Sequence, residues 1–507
     1  MFHNNKGKVV EQYEPYFDSG YDYSLPLQQG QKIKLFYDAL DRPTQTLNPD
    51  GTAQLSVYGI PLTLSSPTQQ SSGRFTTDYR PTAWESYAYD ANDLGGDTHP
   101  TESSSYSSHW NTPESREIDA LDRTIKTTQR LDSTPANDII MQYEYDLQGR
   151  LTKVTDPLNR DNFIYKYPTV RLSARLPDGQ GAEADSEAAP PEAEALKITH
   201  LDSGSKTQIF DARGQLIEMQ DAKNNRFYTA SDYQAKPLKV WMQESGQAIR
   251  LGEQYTYGEL GDIANNQFGK LKSLLDEAGE EQYLAYDFKG NLLHKQRKVI
   301  KDALLSNAEK FAIDWAQGLP DDHLNSRLFE SNTKYDALNR VEKITLPEDT
   351  ELERKEIIPH YNRAGALEKV ELDGNEYLKE IAYNAKGQRI LISFGNGVMN
   401  RYTYDAQNFR LLRMKAEKYT FSETASERTY AYNSGTNRQD LGYEYDLNGN
   451  ILKKKNRTPD SGISGTTLGV DAIDNEYAYD AISRLLTATG RESEANNESH
   501  RWADAPV

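Results

Sequence analysis

The sequence contains no cysteine, which excludes disulfide bonds and thiolate metal sites. It has no apolar run near the ~20 residues that a membrane-spanning helix requires. The N-terminal segment that begins Met1-Phe2-His3 has neither the basic region nor the apolar region of a secretory signal peptide. We therefore expect no membrane span and no signal-directed export of this chain.

Recognisable catalytic motifs are also missing. The eight histidines are scattered along the chain, and no two are spaced to share one face of a helix as zinc ligands do. Gly269-Lys270 lacks the following Ser or Thr of a phosphate-binding loop, and 462–465 lacks the spacing of a nucleophile elbow. An acid/base cluster at Asp321-Asp322-His323 is an alternative to a solvated loop, and we favour the loop. We predict that the chain is not an enzyme and needs no cofactor or metal.

Basic residues are outnumbered, 58 against 77 acidic ones, and the net charge is −19. Such a charge argues against nucleic acid as the main partner. Apolar residues make up only 36%, a poor supply for one thick core, whereas tyrosine occurs 33 times against 14 phenylalanines. Because a tyrosine ring packs while its hydroxyl reaches water, this composition favours a thin sheet over a compact ball.

What the chain does contain is a recurring phrase, an aromatic or apolar residue followed by Asp or Asn. It occurs at Tyr37-Asp38, Ile118-Asp119, Tyr145-Asp146, Phe210-Asp211, Tyr286-Asp287, Tyr335-Asp336, Tyr361-Asn362, Tyr383-Asn384, Tyr404-Asp405, Tyr445-Asp446 and Tyr479-Asp480. In the most regular stretch the phrases are about 20 to 26 residues apart, as expected for stacked supersecondary units.

Four residues after each aromatic position, the sequence almost always has Gly, Asn or Asp, which tolerate a positive φ. The Asp or Asn that begins each phrase can cap backbone N–H groups two residues on, so each phrase predicts a hairpin turn. We predict structural, non-catalytic turn residues at Asp146, Gly149, Asp287, Gly290, Asp336, Asn339, Asp405, Asn408, Asp446, Gly449 and Asp480.

Alternating segments such as 143–145 and 402–404 suit half-buried strands on either side of these turns. One hairpin cannot stand alone, so successive hairpins must pair in a shared sheet. The sequence therefore predicts an all-β fold, with antiparallel hairpins forming a curved or spiralling sheet. Such a sheet would be open, with a terminal edge that associates or pairs with a partner chain.

Three segments depart from the repeat. Residues 178–196 are acidic and almost free of large apolar groups, which predicts a disordered loop. Residues 96–116 are rich in Ser and predict a second long surface loop. Apolar residues from Ala303 to Trp315 fall at helical spacing, which predicts a short helix around 303–316 packed on the sheet.

The phrases at 145–151, 335–340 and 445–450 resemble the YD repeats of Rhs proteins, teneurins and bacterial insecticidal toxin complexes. Two further segments, 2–17 and 394–405, resemble the C-terminal part of the B component of those complexes. On this basis we expect an N-terminal B-component-like segment at 1–30, repeat sheets at 31–177 and 197–490 on either side of the acidic loop, and a tail at 491–507.

In that family the hairpins form a hollow shell around a toxic polypeptide. The resemblance thus implies a non-enzymatic shell segment, secreted by a bacterium, whose partners are other toxin-complex polypeptides and an enclosed toxin. The family's closing D-P-x-G-type motif and a toxin domain are not found in the sequence, so we expect a wall segment. The alternative is a cell-surface or secreted module that binds carbohydrate through exposed tyrosines.

Overall fold

The computed structural model describes residues 1–17, 30–101, 106–168, 195–305, 313–317, 320–424, 428–459 and 473–490. These residues divide into two compact units, one made of Met1–Ile140 and Glu380–Val507 and the other of Met141–Lys379. We call them unit 1 and unit 2. The segment boundaries expected from the sequence fall elsewhere and stay predictions.

The N-terminal part of unit 1 is an antiparallel ladder. Its strands are β1 (Phe2–His3), β2 (Val9–Tyr13), β3 (Lys32–Tyr37), β4 (Pro43–Leu47), β5 (Ala53–Val57), β6 (Gly59–Pro61), β7 (Thr68–Gln69), β8 (Phe75–Thr76), β9 (Tyr79–Pro81), β10 (Glu85–Tyr89), β11 (Glu114–Ile118) and β12 (Thr124–Gln129). Strands β1 to β5 pair in chain order, and β10, β11 and β12 continue the ladder from β5. Strands β6 with β9 and β7 with β8 form two small separate sheets.

Unit 2 is a second ladder in which neighbours along the chain pair antiparallel. Its strands are β13 (Ile139–Tyr145), β14 (Leu151–Thr155), β15 (Asp161–Lys166), β16 (Lys197–His200), β17 (Gly204–Phe210), β18 (Leu216–Gln220), β19 (Arg226–Ser231), β20 (Pro237–Gln243), β21 (Arg250–Tyr257), β22 (Leu271–Asp276), β23 (Gly279–Tyr286), β24 (Leu292–Val299), β25 (Phe329–Tyr335), β26 (Val341–Thr345), β27 (Glu356–Tyr361), β28 (Leu367–Leu372) and β29 (Asn375–Tyr383). The predicted all-β hairpin fold is confirmed.

The C-terminal part of unit 1 continues with the same pairing. Its strands are β30 (Arg389–Phe394), β31 (Val398–Tyr404), β32 (Leu411–Glu423), β33 (Arg428–Tyr445), β34 (Ile451–Asn456), β35 (Asn475–Tyr479) and β36 (Leu485–Ala488). Many strands are half-buried along their whole length, β28 and β34 among them. This pattern fits a sheet one layer thick, with small local cores in place of a single large one.

Helical structure is sparse in the part of the chain that the structure describes. The helices are α1 (Gly95–Thr98), α2 (Asp302–Leu305) and α3 (Pro320–His323), and short 3-10 turns occupy Ser107–His109 and Pro135–Asn137. The helix predicted around 303–316 is present only as α2 at its start, and 306–312 lie outside the described residues. Residues 315–317 form a turn in which the N–H of Gln317 donates to the carbonyl of Asp314, and the N–H of Trp315 donates to the carbonyl of Leu251 in β21. Trp315 is buried there beside Leu251 and Leu275, so its role is packing.

Two predicted loops have different outcomes. Of the acidic loop 178–196, residues up to 194 lie outside the described residues, as does the tail 491–507. At its end, the N–H of Leu196 donates to the carbonyl of Lys166, so the sheet has already resumed. The second loop, 96–116, was predicted to be surface, and this is wrong for Tyr106 and His109, which are buried. These two side chains belong to a contact that sequence spacing could not reveal.

Since every neighbouring pair is antiparallel, each ladder has two edges of turns. We call the edge that carries the turns after the Tyr-Asp phrases the Tyr-Asp edge, and the opposite one the return edge. In unit 1, the turns at 384–388, 405–410, 446–450 and 480–484 lie on the Tyr-Asp edge of the C-terminal ladder. The segments at 14–17, 48–52, 90–101, 106–113 and 130–138 lie on the return edge of the N-terminal ladder.

Candidate functional site at the hairpin turns and the seam

Most repeat turns are organised by one aspartate carboxylate, and the turns at Asn362 and Asn384 use an amide oxygen in its place. In the turn after β25, Asp336 Oδ1 accepts the backbone N–H groups of Leu338 (2.8 Å) and Arg340 (2.9 Å). Its Oδ2 accepts the Arg340 Nε–H at 2.7 Å, and Asn339 between them has a φ of 63°. The backbone N–H of Arg340 and then its side chain hold the pKa of Asp336 below its ordinary value, against the effect of burial. The turn is thereby fixed by charge-assisted bonds.

The same arrangement recurs with Arg or Asn as the partner four residues after the aspartate. The Arg pairs are Asp38–Arg42, Asp119–Arg123, Asp146–Arg150, Asp156–Arg160, Asp336–Arg340 and Asp480–Arg484. The Asn pairs are Asp221–Asn225, Asp287–Asn291 and Asp446–Asn450. Sequence reasoning missed this partner, although the recurrence of Arg or Asn directly after the left-handed position was a usable signal.

The predicted turn residues take the following places. Gly149, Gly290, Asn339 and Gly449 have φ values of 83°, 100°, 63° and 104°. Asn408 lies in its turn, where its N–H donates to Asp405 Oδ1 at 2.9 Å, but the left-handed residue is Phe409, with φ 59°, and not Asn408 as predicted. This turn is one residue longer, since the N–H of Asp405 bonds to the carbonyl of Arg410, five positions on.

Some turns of the same kind lie on the return edge of unit 2 and have no aromatic residue before the aspartate. They begin at Asp156 and Asp221, and their left-handed residues are Asn159 and Asn224. Aligning on the aromatic residue hid them, because Thr155 and Gln220 precede these aspartates. The aspartate, and not the aromatic residue, defines the turn.

The aromatic residue instead joins consecutive hairpins. The Tyr361 hydroxyl donates to the carbonyl of Val341 at 3.0 Å, and the Arg340 guanidinium lies 4.5 Å from the centre of the Tyr361 ring. Arg150, Leu151 and Tyr167 repeat this geometry. Further hydroxyl-to-carbonyl bonds of this kind are Tyr37 to Val9, Tyr286 to Leu271, Tyr404 to Arg389 and Tyr445 to Leu411. Each such tyrosine therefore links its own strand to the hairpin before it.

Within unit 1, turns of the C-terminal ladder meet loops of the N-terminal ladder in matching order. Lys386 forms a 2.8 Å ion pair with Glu14, and Gln407 donates to the carbonyl of Pro49 at 3.4 Å. Further along, Asn448 contacts the loop at 90–92. We call this row of contacts the seam. It places the Tyr-Asp edge of one ladder on the return edge of the other.

Two asparagines make the densest part of the seam. Asn448 Oδ1 accepts the N–H of Ala91 at 3.1 Å, and its amide donates to Asp90 Oδ2 at 2.7 Å. In return, Asn92 Oδ1 accepts the N–H of Leu447 at 3.1 Å, and its amide donates to Asp446 Oδ2 at 2.9 Å. Each side thus satisfies the other's backbone groups, as buried polar groups require.

Leu447 supplies the apolar half of the same contact. Its side chain is 8% exposed and packs with Ala91 and Tyr106. The approach depends on Gly95, because a Cβ there would lie 3.1 Å from Leu447 Cδ1. A turn-tip leucine is therefore held by a cradle of small and aromatic residues from the loop that was predicted to be surface.

A pair of aspartates lies beneath the seam. Asp90 and Asp93 accept each other's backbone N–H groups at 2.8 and 2.9 Å. Burial, and then the charge of Asp90, raises the pKa of Asp93 to about 8. The Thr112 hydroxyl lies 2.9 Å from both Asp93 Oδ1 and the carbonyl of His109, and it has one proton for two acceptors. Protonation of Asp93 would resolve this, because a neutral carboxyl can donate to the Thr112 hydroxyl while that hydroxyl donates to His109.

The cleft beside this pair has a volume of about 550 Å³. Its lining includes Asp90, Asp93, Arg130 and the turn at 481–483. Tyr89 also lines it and is 2% exposed, and its hydroxyl has no hydrogen-bond partner. Arg130 donates to the carbonyl of Pro113 and to Ser115 Oγ, so both of its terminal nitrogens are engaged. The cleft continues the seam toward the last described hairpin.

The other candidate motifs, Asp321-Asp322-His323, Gly269-Lys270 and the 462–465 segment, do not come together in a catalytic arrangement in the described residues. Asp321 is 83% exposed and pairs with Lys298, while His323 lies 2.8 Å from the carbonyl of Gln317. Lys270 lies over the Tyr286 ring, in the same role as the repeat arginines. The 462–465 segment lies outside the described residues. In the part of the chain that the structure describes, no group of three or more His, Cys, Asp or Glu is placed to hold a metal, and no helix is long and apolar enough to cross a membrane.

The structure is a one-layer ladder of hairpins, with an aspartate or asparagine in each repeat turn and a tyrosine between repeats, which is the arrangement expected of YD repeats. No protein-family model matches the chain. It is 27% identical to toxin subunit YenC2 of Yersinia entomophaga over 369 residues. The matched stretch covers 70% of this chain and 35% of that subunit. Toxin subunit YenC1 of the same organism is 31% identical over 115 residues, covering 23% and 11%.

Solved structures give the same result for the fold. A TcdB2–TccC3–Cdc42 crystal structure matches with a TM-score of 0.73 and 19% identity, over 96% of this chain and 21% of that one. A Photorhabdus luminescens Tc holotoxin pore matches with a TM-score of 0.73 and 18% identity, over the same shares. The chain is therefore similar in sequence to toxin subunits and has the fold of the solved toxin-complex structures. It spans about a third of the length of YenC2 and a fifth of the solved chains, and its placement in a B component stays a prediction.

Proposed function

We propose that this chain is a non-enzymatic wall segment of a toxin-complex shell, acting outside the bacterial cell, which encloses a toxic polypeptide for delivery. The observation that carries the proposal is the ordered seam of unit 1, where one ladder edge packs on another. A wall grows in just this manner, because each added layer covers the turn edge of the layer before it. Its partners are then other toxin-complex polypeptides and the enclosed toxin.

The chemistry of the turns supports a wall and not a catalyst. The repeat carboxylates in the pairs described above are engaged by backbone N–H groups and by Arg or Asn side chains. The Tyr361 and Tyr445 hydroxyls donate to backbone carbonyls of the preceding hairpin. Carboxylates engaged in this way are not available to activate water, and these two hydroxyls are not available to hydrogen-bond a sugar, so we favour the wall over the carbohydrate-binding alternative.

A chimera tests the proposal. The matching fifth of a TcdB2–TccC3 chain is replaced by this 507-residue chain, and protease digestion of the C-terminal region of TccC3 is followed over time. We expect that region to be digested no faster in the chimera than in the parent. A second chimera with Asn92→Asp and Asn448→Asp opens the seam by placing carboxylates against Asp446 and Asp90, and it should lose the protection.

Rapid digestion in the first chimera, while the inserted segment itself stays folded by circular dichroism, would contradict the wall role. Equal protection in both chimeras would show that the seam does not contribute to the wall.

A further inference from the structure

The sequence contains two Asn-Gly dipeptides, Asn396-Gly397 in the turn between β30 and β31 and Asn448-Gly449 at the seam. In such a dipeptide the glycine nitrogen can attack the side-chain amide of the asparagine, because glycine has no side chain to obstruct the approach. The two sites have the same reacting groups. A difference in their reactivity must therefore come from the structure around them.

The turn at 394–398 leaves its asparagine in a reactive arrangement. Asn396 is exposed, and its Oδ1 accepts the backbone N–H of Val398 at 3.1 Å. This bond folds the side-chain amide back over its own main chain, beside the Gly397 nitrogen. A Cβ placed on Gly397 would have nothing within 4 Å, so this nitrogen is open to water. Its N–H donates to the carbonyl of Phe394 at 3.1 Å, and this one bond must open before the nitrogen reacts.

At the seam the same dipeptide is held in an unreactive arrangement. Asn448 Oδ1 accepts the N–H groups of Ala91 and Asn92 at 3.1 and 3.3 Å, so it is directed across the seam and away from its own main chain. The Gly449 N–H donates to Asp446 Oδ1 at 2.8 Å. Loss of the Gly449 proton would place two negative charges side by side, which is unfavourable.

We propose that Asn396 is a site of spontaneous deamidation in the folded protein, and that the seam protects Asn448 from the same reaction. The Gly397 nitrogen loses its proton to hydroxide and forms a bond to Cγ of Asn396. The bond from Cγ to the side-chain nitrogen breaks, and ammonia leaves with a proton taken from water. Water then opens the resulting succinimide ring at either carbonyl, which gives aspartate or isoaspartate. The net reaction consumes one water and releases one ammonia, without an oxidant or a cofactor.

The modification would act on the neighbouring strand as well as on the turn. The carbonyl of Phe394 accepts the Tyr419 hydroxyl at 2.8 Å, and the carbonyl of Gly397 accepts the Tyr419 N–H at 3.1 Å. Isoaspartate in place of Asn396 lengthens the main chain by one methylene group, which changes the spacing of these two carbonyls. We therefore expect the amide hydrogen of Tyr419 to exchange faster in aged protein than in fresh protein.

Peptide mapping by mass spectrometry, during incubation of the full chain near neutral pH, tests the proposal. Electron-transfer fragmentation separates aspartate from isoaspartate. We expect Asn396 to convert at least about tenfold faster than Asn448, because Asn448 must first break two hydrogen bonds across the seam. The rate at Asn396 should rise with hydroxide concentration, since the Gly397 nitrogen reacts after losing its proton. Asn396→Gln is the control, because its longer side chain closes a ring slowly and should stay unconverted.

A second incubation, in urea, separates the effect of structure from that of sequence. In the unfolded chain both asparagines are free, and their rates should become similar.

Three results would overturn the proposal. Conversion of Asn448 as fast as that of Asn396 in the folded chain would show that the seam does not protect. An Asn396 that stays intact in the folded chain, while it converts in urea, would show that the turn blocks the reaction. A difference that persists in urea would assign it to the sequence. Because none of these measurements involves an enclosed toxin, the proposal can fail while the wall function stands.

Discussion

At the level of single residues, the repeat turns depend on the partner of the aspartate as much as on the aspartate. Arg150 donates to Asp146 through its Nε at 2.7 Å and lies 4.4 Å from the centre of the Tyr167 ring. It is 17% exposed, so its charge is only partly screened by solvent. One side chain thus closes its own turn and contacts the next hairpin.

We expect Arg150→Met to lower the free energy of unfolding by about 1 kcal/mol, because it removes a charged hydrogen bond and a cation–π contact but retains the apolar stem. Denaturant titration measures the change. Gln148→Met in the same turn is the control, because that side chain is exposed and its replacement should leave the free energy of unfolding unchanged. Equal effects of the two changes would contradict a role for the Arg150 guanidinium.

Asp93 makes a second residue-level prediction, which concerns pH. Its folded pKa of about 8 lies above its ordinary value of 3.8. The neutral carboxyl therefore stabilises the fold fully below pH 3.8, and this contribution decreases as the pH rises and is lost as the pH passes about 8. Asp90, whose pKa burial also raises, contributes in the same direction.

Asp93→Asn should flatten this dependence, because the amide carries no charge at any pH. Thermal midpoints between pH 5 and pH 8 are the measurement, and those of the wild type should fall more steeply with rising pH. Below pH 5 the thermal midpoint should instead fall as the pH falls. Turn aspartates such as Asp146 have lowered pKa values and lose their stabilising contribution when they are protonated. Parallel midpoint curves for the two proteins would exclude a neutral Asp93.

At the level of elements, one turn can be compared with its exposed counterpart. Leu447→Ala removes a buried side chain from the cradle of Ala91 and Tyr106, and we expect it to cost about 2–4 kcal/mol of unfolding free energy. Leu147→Ala, at the same position of an uncovered turn, should change stability by less than about 0.5 kcal/mol. Similar losses at both sites, measured by the same denaturant titration, would mean that the seam does not bury Leu447 in solution.

How far the sequence predicts these elements depends on the range of the interactions. The turns were predictable because the aspartate, the left-handed residue and the strand alternation lie within a few residues of one another. The extra residue in the turn at 405–410 was not predictable, because Asn408 tolerates a positive φ as well as the residues at the same position of the other turns. The segment 96–116 was mistaken for a surface loop because its Ser-rich composition gives no sign that Tyr106 and Gly95 contact Leu447.

The seam could not be predicted at all from local patterns. Asn92 and Asn448 are unremarkable loop residues in the sequence, and their bonds join positions more than 350 residues apart. Because neighbouring strands run in opposite directions, the sequence predicts that each ladder has two edges of turns. It does not predict which edge of one ladder packs on which edge of the other. That choice is made by the packing of side chains from distant hairpins.

At the level of the whole molecule, the seam should couple the exchange of distant amides. Asn92→Ala removes the acceptor of the Leu447 N–H and the donor to Asp446. We expect hydrogen–deuterium exchange to speed up both in the turn at 446–450 and in the loop at 90–98. Amides of β26 in unit 2 serve as the internal control and should keep their rates. Faster exchange in the loop alone would contradict the coupling.

The distance along the chain between the two sides of the seam also bears on synthesis. Ala91 leaves the ribosome 357 residues before Asn448. At about 5–20 residues per second, the interval is on the order of 20 to 70 seconds. For that time the nascent chain holds an uncovered apolar cradle around Ala91, with no leucine to fill it. The period of synthesis is therefore when this protein most needs a chaperone, and slow codons after residue 113 would lengthen it.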